Sequence, residues 1–378
     1  MVNIDPILYI GISQSFFSGL LISTKKPFTT ANRLMAAWLF LICAELLFAL
    51  VNSTLLEMYS FPFVAFTYGP LLFLYVKFMT HPGKKFNWLS LLHFTPFVIF
   101  LTVSVIFRAQ PLVDDLRSFF VPDKFISLRI IYSFSFFLSV TIYSILAFIE
   151  IKRHQKNLMN LVSYTSGILT LNWLKIVSVS FYLAYLILFI LGGINMLGNY
   201  IPFDPYFVIF GFIALFSFVY SFYGIKQPVI FGEELKPEPV DKIDQEKYAK
   251  SGLKEEQADR YLKTLISFVE ERKPYLDRDL SIQDLSSMTS IPRHYITQIL
   301  NEKHKKNFFT FINEYRVKEV IERFSDPRYR HYTILAIAFD SGFNSKTTFN
   351  SIFKNQRGLT PSEFREKYSA TPDLGVHS

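Results

Sequence analysis

Two sets of polar side chains in the last hundred residues have the types and spacing needed to read a nucleic acid. At 100° per residue, His294, Thr297, Gln298 and Asn301 share one side of a helix over about 293–302. Ile296, Ile299 and Leu300 occupy the other side. Fifty-three residues later the plan repeats, with Thr347, Asn350, Ser351 and Lys354 outward and Phe349, Ile352 and Phe353 inward. Arg293 and Lys346 are equivalent on the flank. Amides and hydroxyls pair with base edges in the major groove, while Lys and Arg reach guanine or phosphate. One such face would be an ordinary solvated helix. Two equivalent faces favour double-stranded DNA as a partner.

The elements that would position these faces follow the same doubled plan. Ile282 and Leu285 lead through a turn at Thr289–Pro292 into the first polar helix. Ile334, Ile337 and Ala338 lead through Gly342-Phe343-Asn344 into the second, with Ser345 as its cap. A long apolar-patterned helix, about Phe309–Phe324, lies between and would fix their separation. Two helix-turn-helix units held about one DNA turn apart can enter successive major grooves. Residues 280–368 carry 14 Lys and Arg against 9 Asp and Glu, a balance that attracts a polyanion.

This stretch resembles the AraC/XylS family of transcription regulators. The resemblance is carried by Ile337-Ala-Phe-Asp-Ser-Gly-Phe-Asn-Ser-Lys-Thr-Thr-Phe-Asn-Ser-Ile-Phe-Lys354 and by the closing Arg357-Gly-Leu-Thr-Pro-Ser-Glu-Phe-Arg365. Phe311-Ile-Asn-Glu-Tyr-Arg-Val317 and the first motif fit as well. The upstream Lys273-Pro-Tyr-Leu276 is similar to the lead-in of membrane-anchored members. Lys305 stands where a Gly often follows the first recognition helix, and Ser286 replaces a common Ala. The resemblance covers about 275–368 and implies a seven-helix domain with two helix-turn-helices.

A different chemistry is suggested near the other end. Glu45 lies about 11 residues into an apolar run, so roughly 16 Å deep if the run is a helix crossing a bilayer. An ionisable group at that depth is a candidate functional site. Gln14, Tyr68, Arg129 and Tyr132 fall by sequence on the outer halves of neighbouring runs and would line a signal pocket with it. The alternative is a carboxyl that is protonated, or paired with Arg129, for packing alone. His81, His93 and His154 stand singly, without metal-ligand spacing, so neither a metal nor another cofactor is expected.

Seven apolar runs have about the length needed for a ~30 Å hydrocarbon core. They are Ile7–Thr24, Leu34–Val51, Phe61–Met79, Trp88–Phe107, Ile126–Ile149, Trp173–Ile194 and Tyr206–Tyr223. Pro62, Pro70 and Pro96 are compatible with a membrane bundle, where neighbours satisfy freed carbonyls. Lys and Arg collect in the first, third and fifth loops: Lys25, Lys26 and Arg33; Lys84 and Lys85; Lys152, Arg153 and Lys156. The second and sixth loops hold only Glu57 and Asp204, and the fourth is mixed. The positive-inside rule then places the N-terminus outside and the C-terminal half in the cytoplasm of a bacterium, with the chain multi-pass in the inner membrane. The first eight residues carry no basic stretch, so a cleaved signal peptide is not expected.

Composition divides the 378 residues in the same way. Hydrophobics are 51% and charged residues 19%, yet 25 of the 39 Lys and Arg and 23 of the 31 Asp and Glu lie beyond residue 223. The single Cys43 excludes a disulfide framework and a cysteine zinc site. The expected fold is all-α: a seven-helix transmembrane bundle over 1–223, and a double helix-turn-helix DNA-binding domain over 280–368. A linker and connector helix over 224–279 would join them, with a flexible tail at 369–378. The linker reading rests on the Pro-rich, charged Gly232–Pro239, and the connector on the stripe Ala258, Tyr261, Leu262, Leu265, Ile266 and Val269.

The leading functional expectation is a one-component transcription factor that is no enzyme. Its partners would be double-stranded DNA, membrane lipid, an unidentified signal ligand and a second copy in a homodimer. The alternative is a transporter or membrane enzyme with a regulatory DNA-binding tail. No Walker loop, paired intramembrane carboxylates or His-Glu-x-x-His motif supports an enzyme.

Overall fold

The computed structural model describes residues 5–51, 62–81, 84, 86–107, 125–164, 169–197, 205–227 and 253–369. The second, fourth and sixth loops, Lys85, the Gly232–Pro239 linker and the tail after 369 lie outside the described residues. The chain forms two compact units: Met1–Arg153 with Leu171–Gly232, and His154–Thr170 with Glu233–Ser378.

The first unit contains α1 (Asp5–Thr24), α2 (Thr30–Val51), α3 (Tyr68–Thr80), α4 (Thr95–Phe107), α5 (Ile126–Leu158), α6 (Asn172–Leu197) and α7 (Pro205–Lys226). The last turn of α5 is grouped with the second unit. Helix α1 packs against α2 and α7. Trp38 is fully buried among the rings of Tyr220, Phe216, Tyr68 and Phe181, with centroids 4.9, 5.2, 5.8 and 6.2 Å away. The perimeter is apolar too: Ile10, Phe17, Phe134, Ile176 and Leu215 are all more than half exposed. A water-facing helix would place polar residues there.

Five of these helices, α1, α2, α5, α6 and α7, are long and apolar enough to cross a membrane. The third and fourth expected spans differ from that expectation. Each opens as a 3-10 helix, Pro62–Thr67 and Trp88–Phe94, and continues as an α-helix of 13 residues. The prolines give the reason. Pro70 is the third residue of α3 and Pro96 the second of α4, so each sits in a first turn, where its missing N–H breaks no intrahelical bond. The α-helix starts beside each proline instead of running through it.

The second unit contains α8 (Glu255–Arg272), α9 (Ile282–Thr289), α10 (Arg293–Glu302), α11 (Phe308–Ser325), α12 (Ile334–Asp340), α13 (Lys346–Arg357) and α14 (Pro361–Ser369). It has two cores. Leu265, Val269, Leu285, Ile296, Leu300, Phe308, Phe311 and Ile312 belong to the first. Val317, Val320, Ile337, Phe343, Phe349 and Phe353 form most of the second. Helix α11 supplies both, its first half to one and its second half to the other. Helix α8, read from sequence as a connector ahead of the domain, buries Leu265 and Val269 in the first core. The connector helix is thus packed on the domain read from sequence as 280–368.

Candidate nucleic-acid interface

Local chemistry fixes the first helix-turn-helix. Ser281 and Asp284 form a reciprocal capping box: Asp284 N donates to Ser281 Oγ at 3.2 Å, and Ser281 N to Asp284 Oδ2 at 2.8 Å. Such a cap is worth about 1 kcal/mol. Ser290 ends α9 in the left-handed region at φ 57°, and Ser286 Oγ donates to Ile291 O at 2.7 Å across the turn. Lys305, where the resemblance leads one to expect Gly, adopts φ 55°. The turn keeps its left-handed shape with a side chain in place, which costs roughly 1–2 kcal/mol.

The outward face of α10 is narrower than the helical spacing predicts. His294 is exposed, with its ring 4.2 Å from that of Tyr295. Arg293, Thr297 and Asn301 are half-buried, and Thr297 Oγ1 donates to Arg293 O at 3.0 Å. Gln298 is only 5% exposed, and its amide donates to Glu302 Oε2 at 3.2 Å. Helix α8 packs along α10, with Tyr261 stacked on Tyr295 and Lys303 bridging Glu255 and Asp259 at 3.1 Å each. Gln298 lies only 60° round the helix from Tyr295, at the edge of the covered arc. A stripe read from α10 alone could not include a neighbour from 40 residues upstream.

The second recognition face is open. Thr333 caps α12, and Ser345 Oγ caps α13 by accepting from Thr348 N at 3.4 Å. Lys346, Thr347, Asn350, Ser351 and Lys354 are all exposed. Phe349 and Phe353 are buried beneath them. Gly342 precedes this helix at φ 94°, and a Cβ there would lie 2.1 Å from Tyr275 O. Only Gly fits such a position.

A buried carboxylate helps to hold the two halves. Glu319 accepts from Lys273 Nζ at 2.9 Å, Tyr275 OH at 3.1 Å and Arg323 Nε at 2.9 Å. Burial alone would raise its pKa, but the hydrogen bonds from Lys273 and Arg323 hold it below the ordinary value. The sequence reading did not single out this cluster. Lys273 and Glu319 are 46 residues apart, and only the packed fold brings them together.

The structure brings together only part of the expected pocket in the first unit. Tyr68 OH donates to Glu45. Gln14 Nε2 instead donates to Ser221 Oγ at 2.7 Å and Ser18 Oγ at 3.2 Å. Tyr132 stands edge-on to Phe66 and Phe100 in a separate aromatic cluster, and Arg129 is buried. Sequence reasoning missed Trp38 Nε1 and Tyr220 OH. Both are buried polar atoms without a hydrogen-bond partner among the described residues, as is Gln14 Oε1.

Residues 285–367 match the family described as a helix-turn-helix domain, of the AraC type, and so cover α10 and α13. No curated protein and no solved structure matches the chain. The match makes this part of the chain a DNA-binding domain of the kind that regulates transcription.

Proposed function

We propose that the chain is a membrane-embedded transcription regulator. Its first unit spans the bacterial cytoplasmic membrane and receives a signal, and its second unit binds promoter DNA on the cytoplasmic side. The observation that carries this reading is the presence, in one chain, of a helix-turn-helix match over 285–367 and five helices of membrane-crossing length and composition.

Seven crossings fit the remaining segments. At ~2.0 Å per 3-10 residue and 1.5 Å per α-residue, Pro62–Thr80 and Trp88–Phe107 each reach about 30 Å if their two parts run end to end. The odd-loop cations Lys25, Lys84, Lys152 and Lys156 set the cytoplasmic side. His294, Thr297, Asn301, Lys346, Thr347, Asn350, Ser351 and Lys354 face DNA, with Arg293 on the flank. Gln298 supports the first face from within. Glu45 and Tyr68 form the polar core of the signal site. Trp38 Nε1, Tyr220 OH and Gln14 Oε1 are further groups that a small polar ligand can satisfy, since an unpaired buried polar atom is costly.

Reporter fusions after residues 55, 82 and 226 test the arrangement. They are expected to read periplasmic, cytoplasmic and cytoplasmic. A periplasmic reading at 226 would overturn the proposal, because the second unit would then be cut off from DNA.

A further inference from the structure

The segment that joins α5 to α6 packs as part of the DNA-binding unit. Val162 and Ser281 form an antiparallel bridge, flanked by Ser163 N donating to Leu280 O at 3.1 Å and Ile282 N donating to Leu161 O at 2.9 Å. Phe309 N donates to Met159 O at 2.9 Å. Leu158 and Val162 are buried, and Leu161 packs against the first core. Tyr164, the next residue, has its hydroxyl pKa raised by burial and by Asp279, Asp284 and Asp277 nearby.

The centre of this contact is Ser163, which is fully buried. Its carbonyl accepts from Arg316 Nη1 at 2.7 Å and Asn313 Nδ2 at 2.9 Å. Its hydroxyl accepts from Arg316 Nη2 at 2.9 Å and donates to Leu280 O at 2.6 Å. Arg316 spends its other donors on Tyr275 O at 2.8 Å, Asp277 O at 2.6 Å and, at 3.4 Å, Asn313 Oδ1. All five guanidinium N–H groups thus have partners, and two of the five depend on Ser163.

Arg316 stands where the halves of the domain meet. It lies in α11 between Ile312 of the first core and Val317 of the second. Its Nε is 2.8 Å from where a Cβ on Gly342 would be, in the turn that leads to the second recognition helix. Removing Ser163 strands two donors of a buried cation, and the guanidinium must find new partners by moving its neighbours.

We propose that residues 158–164 are a strap whose docking on Arg316 sets the spacing of the two recognition helices. The segment between α5 and α6 would then govern binding to two half-sites. The inference rests on the DNA-binding reading above and adds its regulation. Helix α5 is continuous from Ile126 to Leu158 and leads directly into the strap.

The test uses the full-length protein in lipid nanodiscs. The probes are duplexes that it selects from a random pool, and the same duplexes cut to one half-site. In one variant, Met159–Tyr164 is replaced by a Gly-Ser hexamer. A second carries Val162→Cys and Ser281→Cys in a Cys43→Ala background. This non-hydrogen-bonded antiparallel pair has the close Cα spacing, about 4.5 Å, that accepts a disulfide. The strap replacement is expected to weaken two-half-site binding at least tenfold while single-half-site binding changes less than threefold. The oxidised pair should keep the two-site preference, and any loss of the Ser281 cap is common to its oxidised and reduced forms. Equal loss on both probes would make the strap a purely structural element and overturn the proposal. Unchanged two-site binding after strap replacement would also overturn it. If the wild-type chain selects no duplex, the DNA-binding reading itself falls.

Discussion

Arg316 and Ser163 are joined twice, from Nη1 to the carbonyl at 2.7 Å and from Nη2 to the hydroxyl at 2.9 Å, although 153 positions separate them. Burial lowers the Arg316 pKa to about 10, with Asp277 and Asp279 opposing the shift, so the side chain stays charged at neutral pH. A planar fork is needed to reach Ser163, Tyr275 and Asp277 at once. Arg316→Lys keeps the charge and loses the fork. It is expected to destabilise the second unit by about 2 kcal/mol or more. Hydrogen exchange of the backbone over 275–325 would show this as faster exchange in the variant, and equal protection would contradict it.

The exposures of Asn350, Lys354 and Gln298 separate their roles. Asn350→Ala should relax preference at one base position by roughly 1–3 kcal/mol. Lys354→Ala should weaken all duplexes alike and reduce the salt slope by about one. Gln298→Ala should leave base preference unchanged, since that amide is turned to Glu302. Selection from a random pool, repeated at two salt concentrations, distinguishes the three. A specificity change in the Gln298 variant would reverse its assignment.

Acid sensitivity follows from Glu319. Its folded pKa is depressed, so it binds a proton less readily when folded than when unfolded. Its stabilisation is therefore full above the unfolded value, near 4.5, and is lost as pH falls through the folded value. Glu319→Gln should lower the stability of the second unit at pH 7, and the difference from wild type should shrink towards pH 3. Limited proteolysis across that range would measure it. A gap that stays constant with pH would mean that the charge is not what stabilises.

Glu45 and Tyr68 supply a prediction for the first unit. Either Glu45→Gln or Tyr68→Phe removes part of their hydrogen bond while nearly preserving shape. Both variants should insert normally and bind selected duplexes as wild type does, yet alter promoter output across a panel of stimuli. A ligand shifts the equilibrium only through its differential affinity for the two states. Dose responses identical to wild type at matched membrane abundance would reduce the pair to packing.

The local features were legible in the sequence because they are governed by neighbouring residues. Ser345 as a cap, the bounds of α10 and the two buried stripes all follow from helical period and capping. The apolar runs Phe61–Met79 and Trp88–Phe107 read as continuous from hydropathy, whereas Pro70 and Pro96 mark where the α-helical part of each begins. The burial of Gln298 belongs to tertiary packing, which a stripe read from α10 alone does not register. The strap carries a weak local signal. Leu158, Met159, Leu161 and Val162 put an apolar cluster into a basic loop, where a solvated turn would not need one. What it docks on was beyond reach, since the bond from Ser163 to Arg316 leaves no local pattern.

Promoter binding through the faces of α10 and α13 is the proposed activity on which the rest depends. Crosslinking in cells followed by recovery of bound chromosomal DNA tests it most directly, comparing wild type with the Asn350→Ala, Lys354→Ala double variant at equal membrane abundance. Discrete peaks upstream of genes, sharing a two-part motif and lost in the variant, are the predicted result. Uniform background in the wild type, or peaks that persist in the variant, would contradict it.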